Sequence, residues 1–370
     1  ILILYTFLHW NELRNIQIRL KKIVRGLIVI PLLGFIPAYI LHGQGLFSSF
    51  LGSYVSIGYF LFFFLFLIKA KEQQIIKVLC ILGICWSIIE LIQQFTYPTY
   101  WFTTRGDEFS SGIDIRNGIY RYNVIGREFG LVLLFYSFEK FMKNKKGKYL
   151  FGVLIGLIGI YLSVTRQVIA MSVICLFAGL FLMKKISFKS LLLIGVVSLL
   201  VYVNANTLFG EFIEMTEEVD EDYVRFWAYE FYGLTYNKGS ILAFLLGNGS
   251  PYPPSRYFRE IDNIEQSFGL WRADIGIVGM YSQYGIIYVG IILWLFYYVF
   301  KQRKYIDTYL LMYVLFMAGT SIMLHHFAYK LSIVIIGCFI LYLIEQNINK
   351  NKKRLSNQNI HEVQCNDTDL

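Results

Sequence analysis

Residues 275–300 read IGIVGMYSQYGIIYVGIILWLFYYVF, a stretch without a single charged side chain. About 20 apolar residues in helical form are enough to cross the ~30 Å hydrocarbon core of a bilayer. Similar runs recur along the 370-residue chain, which is 56% hydrophobic and 18% aromatic and has a mean hydropathy of +0.53. This composition excludes a soluble globular protein and predicts a polytopic membrane protein.

The apolar runs are continuous rather than alternating, which excludes a membrane β-barrel and predicts helices. Residues 1–10 look like the end of a further span, and since the chain lacks an initiator Met we expect an N-terminal truncation. The expected fold class is therefore all-α and polytopic, a bundle of about 10–12 transmembrane helices with one large extracytoplasmic loop. The ten predicted spans lie near 26–42, 50–68, 76–96, 123–139, 149–165, 167–183, 188–205, 275–300, 305–324 and 328–345.

The charge distribution predicts the orientation. The chain has 34 Lys and Arg against 25 Asp and Glu, a formal net charge of +9. The basic residues form short clusters separated by even numbers of crossings, and such clusters stay on the cytoplasmic side. This distribution argues against a nucleic-acid partner, indicates a lipid bilayer as the surroundings, and predicts a cytoplasmic C-terminus. The clusters lie at 14–25, 69–77, 140–148, 184–189, 301–304 and 350–354.

One long polar segment interrupts this pattern and is predicted to face outward. It carries twelve carboxylates and five basic groups, with an amphipathic helix expected near 221–237 and a Gly/Pro-rich turn region at 247–255. The chain is thus predicted to have four regions. They are N-terminal transmembrane helices (1–205), the large extracytoplasmic loop (206–274), C-terminal transmembrane helices (275–345) and a disordered cytoplasmic tail (346–370).

Three ionisable residues stand at predicted outer ends of spans. A charge at the centre of a span costs at least ~2.5–3.5 kcal/mol, so such groups usually face a cavity or a partner. Arg127 and Glu128 open one span, as a structural ion pair or as functional groups. Arg166 lies in the abrupt turn SVTRQ, as a snorkelling charge or as an anion ligand.

Further polar candidates flank the later spans. Asp274 precedes the span 275–300, where it is either a helix N-cap or a base. His325 and His326 end an outward crossing, as bases or as interfacial polar groups. Arg225 and Trp227 belong to the predicted loop helix, which either lies on the membrane surface or binds an anion through its guanidinium.

Metal and nucleotide chemistry have little support. The His pair has no Cys or carboxylate close in sequence, and no nucleotide-binding motif is present. A substrate would therefore arrive already activated. The five cysteines are scattered, so we interpret them as packing residues without a disulfide or metal role: Cys80, Cys85, Cys175, Cys338 and Cys365.

A family resemblance runs through residues 120–300. Its motifs are SVTRQ (163–167), Arg225-Phe226-Trp227, LLGNG (245–249) and ADIGIVGMYSQYG (273–285). In this order, before a long span, they resemble the O-antigen polymerase/ligase superfamily, specifically the Wzy-type polysaccharide polymerases. The ligase branch typically has a His-Asn pair where this chain has Ala273-Asp274, which favours a polymerase.

The resemblance implies a metal-independent glycosyltransferase of the bacterial cytoplasmic membrane that needs no cofactor. It would polymerise undecaprenyl-pyrophosphate-linked oligosaccharide repeat units into O-antigen, capsule or exopolysaccharide at the outer face, with a possible chain-length regulator as a protein partner. Arg166 and Arg225 match the positions of family arginines thought to bind the pyrophosphate.

We therefore predict specific roles for the candidate residues. Arg166 and Arg225 bind pyrophosphate with Arg121 or Arg127 as a further partner, and the aromatic loop around Trp227 stacks against sugar. Asp274 is the first candidate base and His326 the second. Three alternatives stay open: a ligase that transfers finished glycan to another acceptor, a flippase or transporter of lipid-linked sugars, and a membrane scaffold.

Overall fold

The computed structural model describes residues 2–96, 99, 115–116, 119–120, 124–183, 195, 220–328 and 330–367. Within these ranges the chain is mostly helical. The predicted span at 188–205, apart from residue 195, lies outside the described residues, as does Arg121.

The helices are numbered here in chain order. Two short strands, β1 (Ile115–Arg116) and β2 (Ile119–Tyr120), pair antiparallel. The helices are α1 (Leu2–Leu8), α2 (Trp10–Asn15), α3 (Lys21–Leu33), α4 (Phe35–His42), α5 (Leu46–Gly52), α6 (Phe60–Leu67), α7 (Glu72–Thr96), α8 (Arg127–Asn144), α9 (Gly147–Leu162), α10 (Arg166–Met183), α11 (Asp220–Glu230), α12 (Ile241–Leu246), α13 (Arg256–Phe268), α14 (Gly276–Lys301), α15 (Thr308–Thr320) and α16 (Leu331–Asp367).

Several helical segments are long and apolar enough to cross a membrane, so the chain is a multi-pass membrane protein. Among the described residues there are five such segments, or six if the bent pair formed by α5 and the helices up to Leu67 is one span. Helices α9 and α15 are apolar but shorter. The total of ten to twelve stays a prediction. The five segments are Lys21–His42, Glu72–Thr96, Arg166–Met183, Arg272–Lys301 and Leu331–Arg354.

Two of the predicted spans are broken rather than continuous. The span expected at 50–68 bends by 52° at Ser53, between α5 and the segment Tyr54–Leu67, which begins with a 3₁₀ helix, Tyr54–Tyr59. Helix α14 is interrupted at Gly285, with φ 76° and ψ 177°. A Cβ at Gly285 would overlap the carbonyl of Leu245, so glycine permits the chain of the LLGNG motif to approach α14 closely.

Helices α7 and α8 pack closely through small residues, as is common between membrane helices. The ring of Trp86 on α7 fills the space above Gly130 and Gly159, where an added Cβ would overlap it. The Trp86 indole Nε1 also donates a 3.3 Å hydrogen bond to the carbonyl of Val124. This packing fixes the end of α7 against the start of α8.

The polar loop folds into short helices that pack on the bundle. The helix predicted near 221–237 is confirmed as α11 followed by a π-helical turn, Phe231–Thr235. The predicted turn region at 247–255 is non-helical. Asn248 Oδ1 within it accepts a 3.1 Å hydrogen bond from His42 Nε2, and Asn248 Nδ2 donates a 2.7 Å bond to Asn237 Oδ1. The LLGNG motif therefore joins the loop to the end of α4.

The structure differs from the prediction of a disordered tail that begins at residue 346. Helix α16 continues without interruption to Asp367. Ile348 is fully buried, and the Asn351 amide donates a 2.8 Å hydrogen bond to the Tyr305 carbonyl. Packed helix therefore extends past residue 346 to at least Asn351, because apolar and amide side chains continue at helical spacing.

Candidate active site in a polar cavity

A cavity of about 190 Å³ lies where several helix ends meet. Its lining is mostly polar and includes two cations, three carboxylates and two imidazoles. The titratable lining residues are Glu90, Arg127, Glu128, Asp274, His325, His326 and Lys330. Sequence segments that are more than 200 residues apart therefore contribute to one site.

The cavity lies at one end of the bundle. It is lined by the last turns of α7, the start of α8, the α9–α10 turn, the residues before α14 and the α15–α16 connection. The other ends of these helices adjoin the Lys/Arg clusters of the sequence. We call the two regions the cavity end and the basic end.

Arg127 is the first residue of α8, and its guanidinium makes defined contacts with two neighbouring side chains. Its Nη1 donates a 3.4 Å hydrogen bond to Thr165 Oγ1, and its Nη2 lies 3.8 Å from Glu128 Oε1. Its buried Nε has no hydrogen-bond partner within the described part of the chain. The Arg127–Glu128 ion pair expected as one alternative is therefore present, and it lines the cavity.

Glu90 is a carboxylate that sequence reasoning missed. It is 1% exposed, and its Oε2 has no hydrogen-bond partner among the residues described. It lies six residues before the last residue of α7, or ~9 Å along the helix axis. The available signal was a single acidic residue within the apolar stretch SIIELIQQF, which by itself indicates a functional group in a membrane span.

His326 is buried and electrically neutral. Thr320 Oγ1 donates a 2.7 Å hydrogen bond to the Phe316 carbonyl, so this hydroxyl accepts the 2.6 Å bond from His326 Nε2. The imidazole therefore carries its proton on Nε2, and Nδ1 is the nitrogen that can accept one. Burial, followed by the charges of Arg127 and His325, lowers the pKa of His326 to about 3.

His325 shares this environment. Burial, followed by the charge of Arg272, lowers the pKa of His325 to about 3 as well. Neither imidazole therefore adds positive charge to the cavity near neutral pH. The cations that line it are Arg127 and Lys330, the second of which sequence reasoning did not single out.

Asp274 lines the cavity from its more exposed side. It lies in a 3₁₀ turn, Arg272–Ile275, directly before α14. The N-cap position of α14 is Ile275, so Asp274 lies one residue before the cap. The Ile277 amide donates a 2.7 Å hydrogen bond to the Ser321 carbonyl, which holds this turn against the α15–α16 connection and its histidines.

Three other predicted residues do not line the cavity. Arg166 begins α10, directly after the cavity residue Thr165. Arg225 is exposed on α11, and Trp227 on the same helix is 50% exposed. The Tyr229 hydroxyl donates a 2.7 Å hydrogen bond to the Ile322 carbonyl, which ties α11 to the segment before the histidines. Helix α11 thus lies near the cavity segment without placing Arg225 in it.

The described residues contain no group of three or more His, Cys, Asp and Glu side chains arranged to hold a metal ion. The four cysteines whose side chains the structure describes are free thiols: Cys80, Cys85, Cys175 and Cys338.

Comparison with known proteins adds no assignment. No protein-family model matches the chain, and no curated protein matches it either.

Proposed function

We propose that this protein polymerises undecaprenyl-pyrophosphate-linked oligosaccharide repeat units into O-antigen, capsule or exopolysaccharide at the outer face of the bacterial cytoplasmic membrane. One observation carries the proposal. The cavity end brings together two cations, Arg127 and Lys330, with carboxylates and two neutral imidazoles in a single cavity. These are the groups that transfer of a glycan from a pyrophosphate carrier requires.

The orientation follows from the charges. The basic end carries the Lys/Arg clusters and is therefore cytoplasmic by the positive-inside rule. The cavity end then faces outward, together with the polar loop that contains α11 and α13. Reaction at this face suits a lipid-linked donor, since the polyprenyl tail stays in the bilayer while its pyrophosphate reaches the membrane surface.

The cations would act on the leaving group. Breaking the bond between the anomeric carbon and the pyrophosphate oxygen develops negative charge on that oxygen and oxocarbenium character on the sugar. Arg127 is fixed by Thr165 and Glu128 before substrate arrives. Preorganised donors of this kind give the largest single contribution in many enzymes. Lys330 supplies a second cation from the α15–α16 connection.

A base is needed for the acceptor hydroxyl. Both residues predicted from the sequence, Asp274 and His326, line the cavity. A positioned base of this kind contributes typically 10²–10⁴-fold to the rate. In His326 only Nδ1 could accept the proton, because Nε2 is already bonded to Thr320. Burial lowers the pKa of His326 to about 3, which makes it a weak base near neutral pH.

The arginines of the family motifs take different places in this proposal. Arg166 directly follows the cavity residue Thr165, and in this proposal it would contact a ligand that extends beyond the cavity. Arg225 and Trp227 lie on exposed α11, where they would contact the emerging glycan or the headgroup layer rather than the reacting atoms. A chain-length regulator would also bind on this outer side.

The proposal is tested with purified protein, lipid-linked repeat units, and neither nucleotide nor added metal, with the products separated on a gel. A ladder of increasing glycan length is the expected result, because the pyrophosphate bond supplies the energy. Transfer of single units to another acceptor would indicate a ligase instead. Movement of intact donor across vesicle membranes, without new glycosidic bonds, would indicate a flippase.

A further inference from the structure

We propose that Glu90, rather than Asp274, receives the proton of the acceptor hydroxyl. This inference rests on the proposed function and identifies a catalytic residue within it. It follows from the burial of the carboxylate, from its fixed position in the same cavity as Arg127, and from polar atoms there that lack hydrogen-bond partners among the described residues.

Burial distinguishes Glu90 from Asp274, and the third carboxylate of the cavity, Glu128, differs from both because it is paired with Arg127. Glu90 is 1% exposed, whereas Asp274 is exposed to solvent. Water stabilises the charged form of an exposed carboxylate, which makes such a group a weak proton acceptor. Removal from water disfavours the charged form, so a buried carboxylate accepts a proton more readily than an exposed one.

The position of Glu90 is fixed by its own helix. Trp86 and Glu90 are four residues apart on α7, so they share one helix face, and both line the cavity. The Trp86 indole is locked by Gly130 and Gly159 and by its hydrogen bond to Val124, three residues before Arg127. The carboxylate is therefore held on a rigid helix close to the cation of the leaving-group site.

One buried hydrogen-bond donor and one buried acceptor in the cavity residues have no partner in the described part of the chain. Arg127 Nε is a buried donor and Glu90 Oε2 is a buried acceptor, and neither has a hydrogen-bond partner there. A ligand that presents an acceptor oxygen to Arg127 Nε and a hydroxyl donor to Glu90 Oε2 would satisfy both atoms. A glycosyl pyrophosphate meeting an acceptor sugar has this combination.

The step balances with these groups alone. The acceptor hydroxyl oxygen forms a bond to the anomeric carbon of the donor glycan. The bond from that carbon to the carrier breaks, and its electron pair leaves with undecaprenyl pyrophosphate, which Arg127 stabilises. The hydroxyl proton passes to the Glu90 carboxylate and is later released to solvent.

The test compares Glu90→Gln with Glu72→Gln, the same substitution near the other end of the same helix. For each variant, the initial rate of ladder formation and the binding of lipid-linked donor are measured separately. We expect Glu90→Gln to lower the rate by about 10²–10⁴-fold. Donor binding should change by less than about threefold, because the amide keeps the shape of the carboxylate, and Glu72→Gln should match the wild type.

The outcomes separate this inference from the proposed function. A wild type that forms no ladder overturns the proposed function. A wild type that forms a ladder, with Glu90→Gln at the wild-type rate and Asp274→Asn strongly impaired, overturns only the role of Glu90. If Glu90→Gln does not fold, Glu90→Asp moves the carboxylate by one methylene. A rate loss of about 10²-fold with unchanged donor binding then supports the role, and a wild-type rate contradicts it.

Discussion

The two ends of the bundle use buried carboxylates differently. At the basic end, Glu345 accepts hydrogen bonds from the amides of Arg19 (2.9 Å) and Leu20 (3.0 Å), directly before α3. Glu139 accepts a 2.6 Å bond from the Tyr309 amide in the first turn of α15 and pairs with a lysine of its own helix, Lys143. At the cavity end, Glu90 has an oxygen without a partner among the described residues.

This difference indicates that carboxylates at the basic end stabilise the fold, whereas those at the cavity end serve the site. A carboxylate at a helix N-terminus satisfies free amides and interacts favourably with the helix dipole, so Glu139 and Glu345 stabilise the bundle. An unsatisfied buried oxygen costs about 1–3 kcal/mol. The cavity end therefore carries a cost to stability that a bound substrate would relieve.

The largest expected effect is on catalysis at the cavity end. Arg127→Gln removes the preorganised cation that stabilises the leaving pyrophosphate, and the rate of polymerisation should fall by about 10²–10³-fold. The measurement is the initial rate of ladder formation at saturating donor.

Lys140→Gln is the matched control, since Lys140 lies on the same helix toward the basic end. It should polymerise at the wild-type rate with the wild-type melting temperature. If the two variants lose activity to the same extent, the distinction between the two ends is wrong.

The next effect is on stability at the basic end. Glu345→Gln replaces the acceptor of two backbone amides with a neutral amide, and the free energy of unfolding should fall by about 1–3 kcal/mol. Denaturation in detergent measures the loss, and the rate per folded molecule should not change. If the variant has wild-type stability but impaired polymerisation, the basic end takes part in the reaction.

A pH effect should follow from the buried histidines. The pKa of His326 is about 3 in the folded protein, against an ordinary value near 6.5. The unfolded chain therefore binds more protons between these values, so stability is unaffected above pH 6.5 and falls as the pH drops toward 3. At pH 5.5 the loss should be about 1 kcal/mol for this residue.

Melting temperatures of the wild type and His326→Gln between pH 8 and pH 4.5 test this expectation. The variant should lose less stability on acidification than the wild type. An identical acid dependence for both proteins would show that His326 is not held neutral by its surroundings.

The smallest effect is expected on the exposed loop helix. Arg225→Gln should lower the polymerisation rate by less than about threefold, because an exposed charge interacts weakly through water. If this substitution instead abolishes all polymer at normal protein levels, Arg225 is the pyrophosphate ligand that the sequence predicted. The reaction would then take place near α11 rather than in the cavity.

Much of the membrane fold could be predicted because hydrophobicity over about 20 residues is a local property. The breaks at Gly285 and at Ser53 could not be predicted in the same way. Each break depends on contact with a segment that is distant in sequence and approaches only in the folded protein. At Gly285 this segment is the LLGNG motif.

The cavity was partly predictable for a related reason. Arg127, Asp274 and His326 stand at span ends, where a polar group is conspicuous in the sequence, and the structure brings them together. Arg225 stands out equally in the sequence. Which face of a loop helix meets the bundle depends on tertiary packing, so sequence alone could not place it inside or outside the cavity.

The most direct test is an electron cryomicroscopy structure of the protein in lipid nanodiscs with a lipid-linked repeat unit or a phosphonate analogue of its pyrophosphate. We predict density for the two phosphate groups between Arg127 and Lys330, with the first sugar toward Glu90. Density for the pyrophosphate at the basic end, or against Arg225 on α11, would contradict the central claim that the cavity is the site of glycan transfer.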